Sequence, residues 1–244
     1  MDKQAIREAV WDRLESAGIA RFPFPPHDRI PNFAGAEVAA ERLTDTAVWN
    51  DAGTVKANPD SPQLPVRRAA LRAGKTVYMA VPRLRDERCF YELDPAELDD
   101  IEAAPAVSNV ADHARQVGPE ALDGLDLVVS GSVAVTEGGA RIGKGEGYSD
   151  LEYAVLRELG LVDGTTPVVT TVHERQVVDG PESAVDVDVV PVDSHDVPMD
   201  YVVTPDRVIS TETGHGRPAG IDWAALDAER IAAIPVLARR RPDS

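Results

Sequence analysis

Arg141-Ile-Gly-Lys-Gly-Glu-Gly-Tyr-Ser-Asp150, continuing as Leu151-Glu-Tyr-Ala-Val-Leu-Arg-Glu-Leu159, is the stretch from which the rest of the chain is read. Ahead of it, Leu127-Val-Val-Ser-Gly-Ser-Val-Ala-Val135 is apolar and rich in β-branched residues, which predicts a buried strand over 127–135, closed by a turn at Glu137-Gly-Gly139. Behind the glycines, Ser149 and Glu152 have the spacing of a capping box, and Leu151, Val155, Leu156 and Leu159 share one helical face. Strand, glycine loop and helix follow in that order. Gly143, Gly145 and Gly147 let backbone come close to a ligand, amides at the helix start favour an anion, and Arg141 and Lys144 add positive charge. These features together describe a phosphate cradle. The loop has neither the Gly-Lys-Ser/Thr ending of a P-loop nor the Gly-x-Gly-x-x-Gly spacing of a dinucleotide fingerprint, so spacing alone leaves a purely structural glycine connection open. Glu146 fits a phosphate only if it points away or faces a metal.

The same stretch resembles the nucleotide-binding signature of the 5-formyltetrahydrofolate cyclo-ligase (methenyltetrahydrofolate synthetase) family, Arg-Leu-Gly-x-Gly-x-Gly-Tyr-Tyr-Asp. It is closer still to the branch called methenyltetrahydrofolate synthetase domain-containing, whose signature reads Arg-Ile-Gly-Lys-Gly-Glu-Gly-Tyr. Further similarity runs through Arg29-Ile-Pro-Asn-Phe33, Lys56-Ala-Asn-Pro-Asp60, Pro82-Arg-Leu-Arg85, Ser130-Gly-Ser-Val-Ala-Val135, Gln176-Val-Val-Asp179 and Asp200-Tyr-Val-Val-Thr-Pro205. The resemblance implies a single layered α/β/α domain over 1–244 with a mainly parallel sheet, of the CoA-transferase-like superfamily. It implies ATP- and Mg²⁺-dependent cyclisation of 5-formyltetrahydrofolate to 5,10-methenyltetrahydrofolate. By the same resemblance Lys3, Arg7, Arg141, Gly143, Lys144, Gly145, Gly147 and Tyr148 would bind ATP, with Lys144 and Tyr148 closest to the chemistry. Arg7, Asp60 and Tyr148 would meet the substrate, and Asp150 and Asp196 would hold the metal.

Two departures from the signature fall on the substrate side: Ser149 replaces the second tyrosine, and Asp60 stands where the family carries a glutamate that contacts the pterin. No arginine follows Asp150, where Leu151 stands. Two other readings therefore stay open: an ATP-using relative acting on another heterocycle, as in cofactor or thiamine salvage, and a non-catalytic nucleotide-binding protein.

Composition narrows the field. The 244 residues are 43% hydrophobic, with 42 acidic against 25 basic side chains and a net charge of −17. Such a surface repels nucleic-acid phosphates and leaves a small molecule as the expected partner, a reduced folate or related heterocycle. No apolar run approaches the ~20 residues of a membrane span, and residues 1–20 read as an amphipathic charged helix, so a cytoplasmic monomer or small homo-oligomer is expected. The lone Cys89 excludes an internal disulfide and reads as a small buried hydrophobe. Only four of the basic residues are lysine, at 3, 56, 75 and 144. An acidic, lysine-poor surface suits high salt, where screening removes self-repulsion. Thermal stability is expected to rise as salt is titrated into the molar range; a falling melting temperature would contradict that reading.

Along the chain, Asp2–Ala17 reads as a helix with Ile6, Ala9, Val10 and Leu14 on one face and Lys3 and Arg7 on one side. Residues 22–33 are too proline-rich for helix or central strand and read as an extended arm docked by Phe22, Phe24 and Phe33. On that arm His27 and Arg29 are candidates to reach the site, with a surface role the plainer reading for His27. Short helices are expected over 35–43, 62–73 and 111–117, strands over 75–81 and 167–172, and a hairpin around Thr204-Pro-Asp206. Lys56, Arg83 and Arg85 are further site candidates, the arginines alternatively pairing with Asp86 and Glu87. In the acidic segment 186–200, Asp186 and Asp188 read as a solvated loop, and His195 lacks a second histidine at zinc-ligand spacing. A helix is expected over 223–234 and a frayed tail over 237–244.

Overall fold

A computed structural model describes residues 1–183, 185, 189–214 and 216–242. The chain opens with α1 (Lys3–Ser16), whose first turn is capped by the Asp2 carboxylate accepting from the Ala5 amide. The ribbon β1 (Ala20–Arg21) and β2 (Asn32–Phe33) brackets the proline arm, and α2 (Ala36–Thr44), α3 (Ala47–Asn50), β3 (Thr54–Ala57), α4 (Leu64–Arg72) and β4 (Thr76–Ala80) follow. Next come β5 (Phe90–Leu93), α5 (Val110–His113), β6 (Arg115–Val117), β7 (Leu127–Val129), the ribbon β8 (Ala134–Val135) with β9 (Arg141–Ile142), and α6 (Tyr148–Glu158). The last elements are β10 (Val168–Thr171), β11 (Tyr201–Val203), β12 (Val208–Ser210), α7 (Ala228–Ala233) and α8 (Pro235–Ala238).

Eight strands form one sheet in the order β12-β11-β10-β7-β3-β4-β5-β6. The five from β11 to β4 are mutually parallel, and the outer strands β12, β5 and β6 pair antiparallel. Strand parity sorts the core into two layers. Val55, Ala57, Val77, Met79, Leu127, Val129, Val169 and Val203 face α2 and α4. Tyr78, Ala80, Val128, Val168 and Val202 face α6 and the C-terminal helices. A strand buried on both faces is ordinarily apolar throughout. Lys56 breaks that rule in mid-β3, on the α6 side, at 1% exposure.

Connectivity places a crevice. From β3 the chain crosses through α4 to β4 on one side, and from the adjacent β7 it crosses through α6 to β10 on the other, with the two helices on opposite faces. Neighbouring parallel strands whose crossovers diverge leave an opening beyond their carboxyl ends, which is where such sheets bind ligands. The α1 helix packs with the β8–β9 ribbon through Ile6, Val10, Trp11, Leu14, Ala134 and Ile142, which brings the N-terminus to the mouth of that opening.

Several sequence expectations change. The apolar run 127–135 is not one strand: Ser130-Gly-Ser132 leaves the sheet between β7 and β8, and a Cβ on Gly131 would lie 3.0 Å from Ile30 and 3.2 Å from the Asp60 carboxylate. The α6 helix starts at Tyr148 with Gly147 as its N-cap, held at φ 68, so Ser149 and Glu152 form no capping box; tertiary contacts claim both side chains. Trp11, not Ala9, completes the buried face of α1. Phe33 docks the arm, whereas Phe22 and Phe24 are exposed. Helix 111–117 shrinks to α5 followed by β6, and helix 223–234 shortens to α7. The chain past 237 is not loose from its start, because Val236 and Leu237 are buried in the main core. Asp186 and Asp188 lie outside the described residues.

Candidate active site

The opening at the β3/β7 switch is a cleft of about 340 Å³, within the size range of small-molecule sites. Its walls come from the Asn58-Pro-Asp60 turn after β3, the Val81–Arg85 loop after β4, Gly131 after β7, and the glycine loop with the first turns of α6. The α4 helix fixes the β3 turn from below. Arg67 sits on that helix's buried face at 1% exposure and donates to the carbonyls of Asp60 at 3.0 Å, Pro105 at 2.9 Å and Asn58. Burial lowers its guanidinium to about 9. Across the cleft the backbone at Arg83 and Leu84 takes positive φ values of 60 and 51, a conformation held by its surroundings. Arg83 points toward Glu146 at 3.9 Å. Glu87 pairs instead with Arg239.

The glycine loop gathers cations as expected, but most already have partners. Lys144 reaches Glu146 at 2.8 Å, and both are partly exposed. Arg7 donates to the Gly143 carbonyl at 2.7 Å and lies against Gly145; burial lowers its guanidinium. Arg141, buried, donates to the Gly131 carbonyl at 3.0 Å and pairs with Asp150, so it holds two walls of the cleft together rather than presenting an open guanidinium. Lys3 bridges Asp193 at 2.7 Å and Asp196 at 2.6 Å. Burial works against its ammonium, but the two carboxylate bonds outweigh burial and the net direction is up.

The expected metal carboxylates come together indirectly. The Val197 amide donates to Asp150 Oδ1 at 3.1 Å, and Asp196 Oδ2 accepts from Lys3 and from the Asp193 amide at 2.7 Å. Each carboxylate thereby commits one oxygen and keeps the other, a donor set of hard oxygens suited to Mg²⁺. Among the described residues the group with metal-ligand spacing is Asp193, His195 and Asp196, with ligand atoms within 4.8 Å of one another; Asp150 is not in it.

Asp60 lines the cleft next to this cradle. Burial pushes its carboxyl up, against the pull of Lys144, Arg67 and Lys56. A carboxyl raised in the folded chain binds its proton more tightly there, so stability falls as pH climbs from the unfolded value through the raised one. Asp60→Asn should therefore melt above the parent at neutral pH, with the two curves converging below the ordinary carboxylate range. A melting series across pH checks this.

A family model described as the 5-formyltetrahydrofolate cyclo-ligase family matches residues 2–205, taking in the β3 turn, the glycine loop and Asp196. The chain belongs to the 5-formyltetrahydrofolate cyclo-ligase family. Curated relatives of the chain include the methenyltetrahydrofolate synthase domain-containing protein of Mus musculus, 44% identical over 244 residues and 99% of this chain. The Homo sapiens protein of the same name is 42% identical over 97% of the chain. This chain spans 63% and 61% of those proteins' lengths. Among solved structures, an NMR structure of Aquifex aeolicus 5,10-methenyltetrahydrofolate synthetase shares the fold with a TM-score of 0.53 at 19% identity, covering 88% of this chain and 96% of that one.

Three residues escaped the sequence reading. Arg67 carried a signal, a charge amid the apolar stripe of Val66, Ala70 and Leu71. Glu152 was assigned to the wrong interaction, since its carboxylate pairs with Lys56 at 2.9 Å inside the protein. Arg230, on α7 beyond the cyclo-ligase match, lies over the Tyr148 ring at 5.1 Å and donates to the Glu146 carbonyl at 2.8 Å. No local pattern links it to a loop 84 positions away.

Proposed function

We propose that this chain uses ATP and Mg²⁺ to cyclise 5-formyltetrahydrofolate to 5,10-methenyltetrahydrofolate in the cytoplasm, releasing ADP and phosphate. The observation that carries the reading is Lys144 and the backbone of a glycine loop lining the switch-point cleft, with Arg7 holding that loop through the Gly143 carbonyl and Asp60 lining the same cleft. In the proposed chemistry the formyl oxygen attacks the terminal phosphorus and ADP leaves, giving an imidate phosphate. The neighbouring amine nitrogen then attacks the formyl carbon, the C–O bond to phosphate breaks, and the amine's N–H proton leaves with the departing phosphate. Mg²⁺, when bound, would neutralise charge on the phosphates from Asp150 and Asp196. Little covalent work falls to the protein, so its residues act by position and charge. Lys144 lines the phosphate side and Arg7 holds its loop at Gly143; Arg141 fixes Asp150; Tyr148 and Asp60 border the substrate side.

Arg230 acts on this arrangement from outside. Its stacking and its bond to Glu146 hold the loop and Tyr148 in one geometry, and Arg230→Ala should raise the KM for ATP about tenfold while kcat falls less. Steady-state kinetics with each substrate varied in turn separates these effects, and an unchanged KM for ATP would remove Arg230 from the site.

The deciding assay is spectrophotometric: Mg-ATP and 5-formyltetrahydrofolate in molar salt, watched for the methenyl chromophore. An ATP-dependent band supports the reading. ATP binding without the band, followed by ATP turnover with a different heterocycle, moves the chain to the salvage-type alternative favoured by the Asp60 and Ser149 departures. Binding without any turnover leaves a nucleotide-binding protein.

A further inference from the structure

The buried pair Lys56–Glu152 has more structure around it than an ion pair needs. Lys56 projects from β3 toward α6, the side opposite Val55 and Ala57. There its Nζ meets Glu152 Oε2 at 2.9 Å and the Asn58 Oδ1 at 3.3 Å. The second carboxylate oxygen, Oε1, is buried and has no hydrogen-bond partner among the described residues. Buried polar atoms in folded proteins are almost always paired, so an orphaned carboxylate oxygen asks for a donor. Glu152 is a cleft-lining residue on the same side of α6 as Tyr148, one helical turn away. Asp60 is close enough for the two carboxyls to repel each other. An ionised carboxylate accepts hydrogen bonds and donates none. The inner end of the cleft is therefore built to meet donors.

We propose that Glu152 is a second substrate-recognising carboxylate, its Oε1 accepting an N–H of the substrate's heterocycle beside Asp60. The specificity of the cleft is then for a head group that presents several N–H donors along one edge, as an amino-substituted pyrimidine ring does. The shorter reach of Asp60 is compensated from α6, and Lys56 fixes the Glu152 carboxylate through its 2.9 Å contact. This rests on the folate-directed reading given above.

Glu152→Gln tests it with little change of shape. The amide oxygen can still accept from Lys56, while the NH₂ group then faces the ligand donor that Oε1 would have met. The double variant Lys56→Met/Glu152→Leu removes the buried pair altogether and guards against a folding defect. Binding of 5-formyltetrahydrofolate is measured by calorimetry, alongside Mg-ATP binding and melting temperature. Both variants are expected to weaken folate binding roughly 10- to 100-fold, with the Kd for ATP within about twofold of the parent. Parental folate affinity in either folded variant would make the pair structural and overturn the inference alone. A parent chain that binds ATP but no 5-formyltetrahydrofolate would overturn the functional reading, and this inference with it.

Discussion

For the proposed reaction, replacing Lys144 with alanine is expected to lower turnover about 100- to 1,000-fold, the loss typical when one preorganised charge is taken from a developing anion. The expectation is specific to this lysine because of what surrounds it. Lys144 stands in the glycine loop, its ammonium partly exposed and held, among the described residues, by the similarly exposed Glu146. Such a surface pair contributes little to folding, so the variant should melt close to the parent. The functional consequence is larger than one lost charge, because Glu146 loses its nearest cation at the rim where phosphates would sit and keeps only the more distant Arg83 at 3.9 Å. Lysine-to-arginine replacement at the same place should recover part of the rate, since it restores the charge but not the compact ammonium. Measured kcat with saturating substrates, next to melting curves, tests both statements. A Lys144→Ala enzyme that keeps the parental rate would remove the glycine loop from the phosphate path.

Lys56→Met is expected to have its largest effect on stability instead. Removing one partner of a buried pair leaves the other charge uncompensated, at a cost of about 3–5 kcal/mol. For a domain of this size that corresponds to a fall on the order of 10 °C in melting temperature. The loss should shrink as pH falls: Glu152 is already pushed up by burial, and without Lys56 it takes a proton more readily in the folded chain. Once the unfolded chain protonates as well, the difference disappears. Adding Glu152→Leu should return the melting temperature to the parental range or above it, because a well-packed apolar pair is at least as stable as a buried ionic one. Thermal melts of the single and double variants at several pH values complete the cycle.

How much of this was legible beforehand depends on the range of the interaction involved. The order of elements around α4 and α6 follows from apolar periodicity and glycine punctuation, both local, and the glycine loop is local in the same sense. Lys56 was read as a site candidate, but its partner was hidden by a competing local pattern. Ser149 and Glu152 have capping spacing, yet Gly147 with its left-handed backbone starts α6 and frees Glu152 to turn inward. The split of 127–135 was also illegible, since the close approach at Gly131 is to Ile30 and Asp60, residues distant in sequence. Site residues on one loop were readable; those that tie the loop to other elements were not. Arg141 illustrates the limit, because its charge was evident but its commitment to Asp150 and Gly131 depends on the folded β9–α6 corner.

The glycine loop is clasped from helices early and late in the chain, with Arg7 of α1 donating to the Gly143 carbonyl and Arg230 of α7 closing on Tyr148 and Glu146. Synthesis on the ribosome runs in one direction, so the parallel strands from β3 to β10 emerge before α7 exists. A nascent chain can therefore assemble most of its sheet while the glycine loop still lacks its last clasp. The contact of Arg230 with the glycine loop is thus the last of these to form, completed by a helix that takes no part in the sheet.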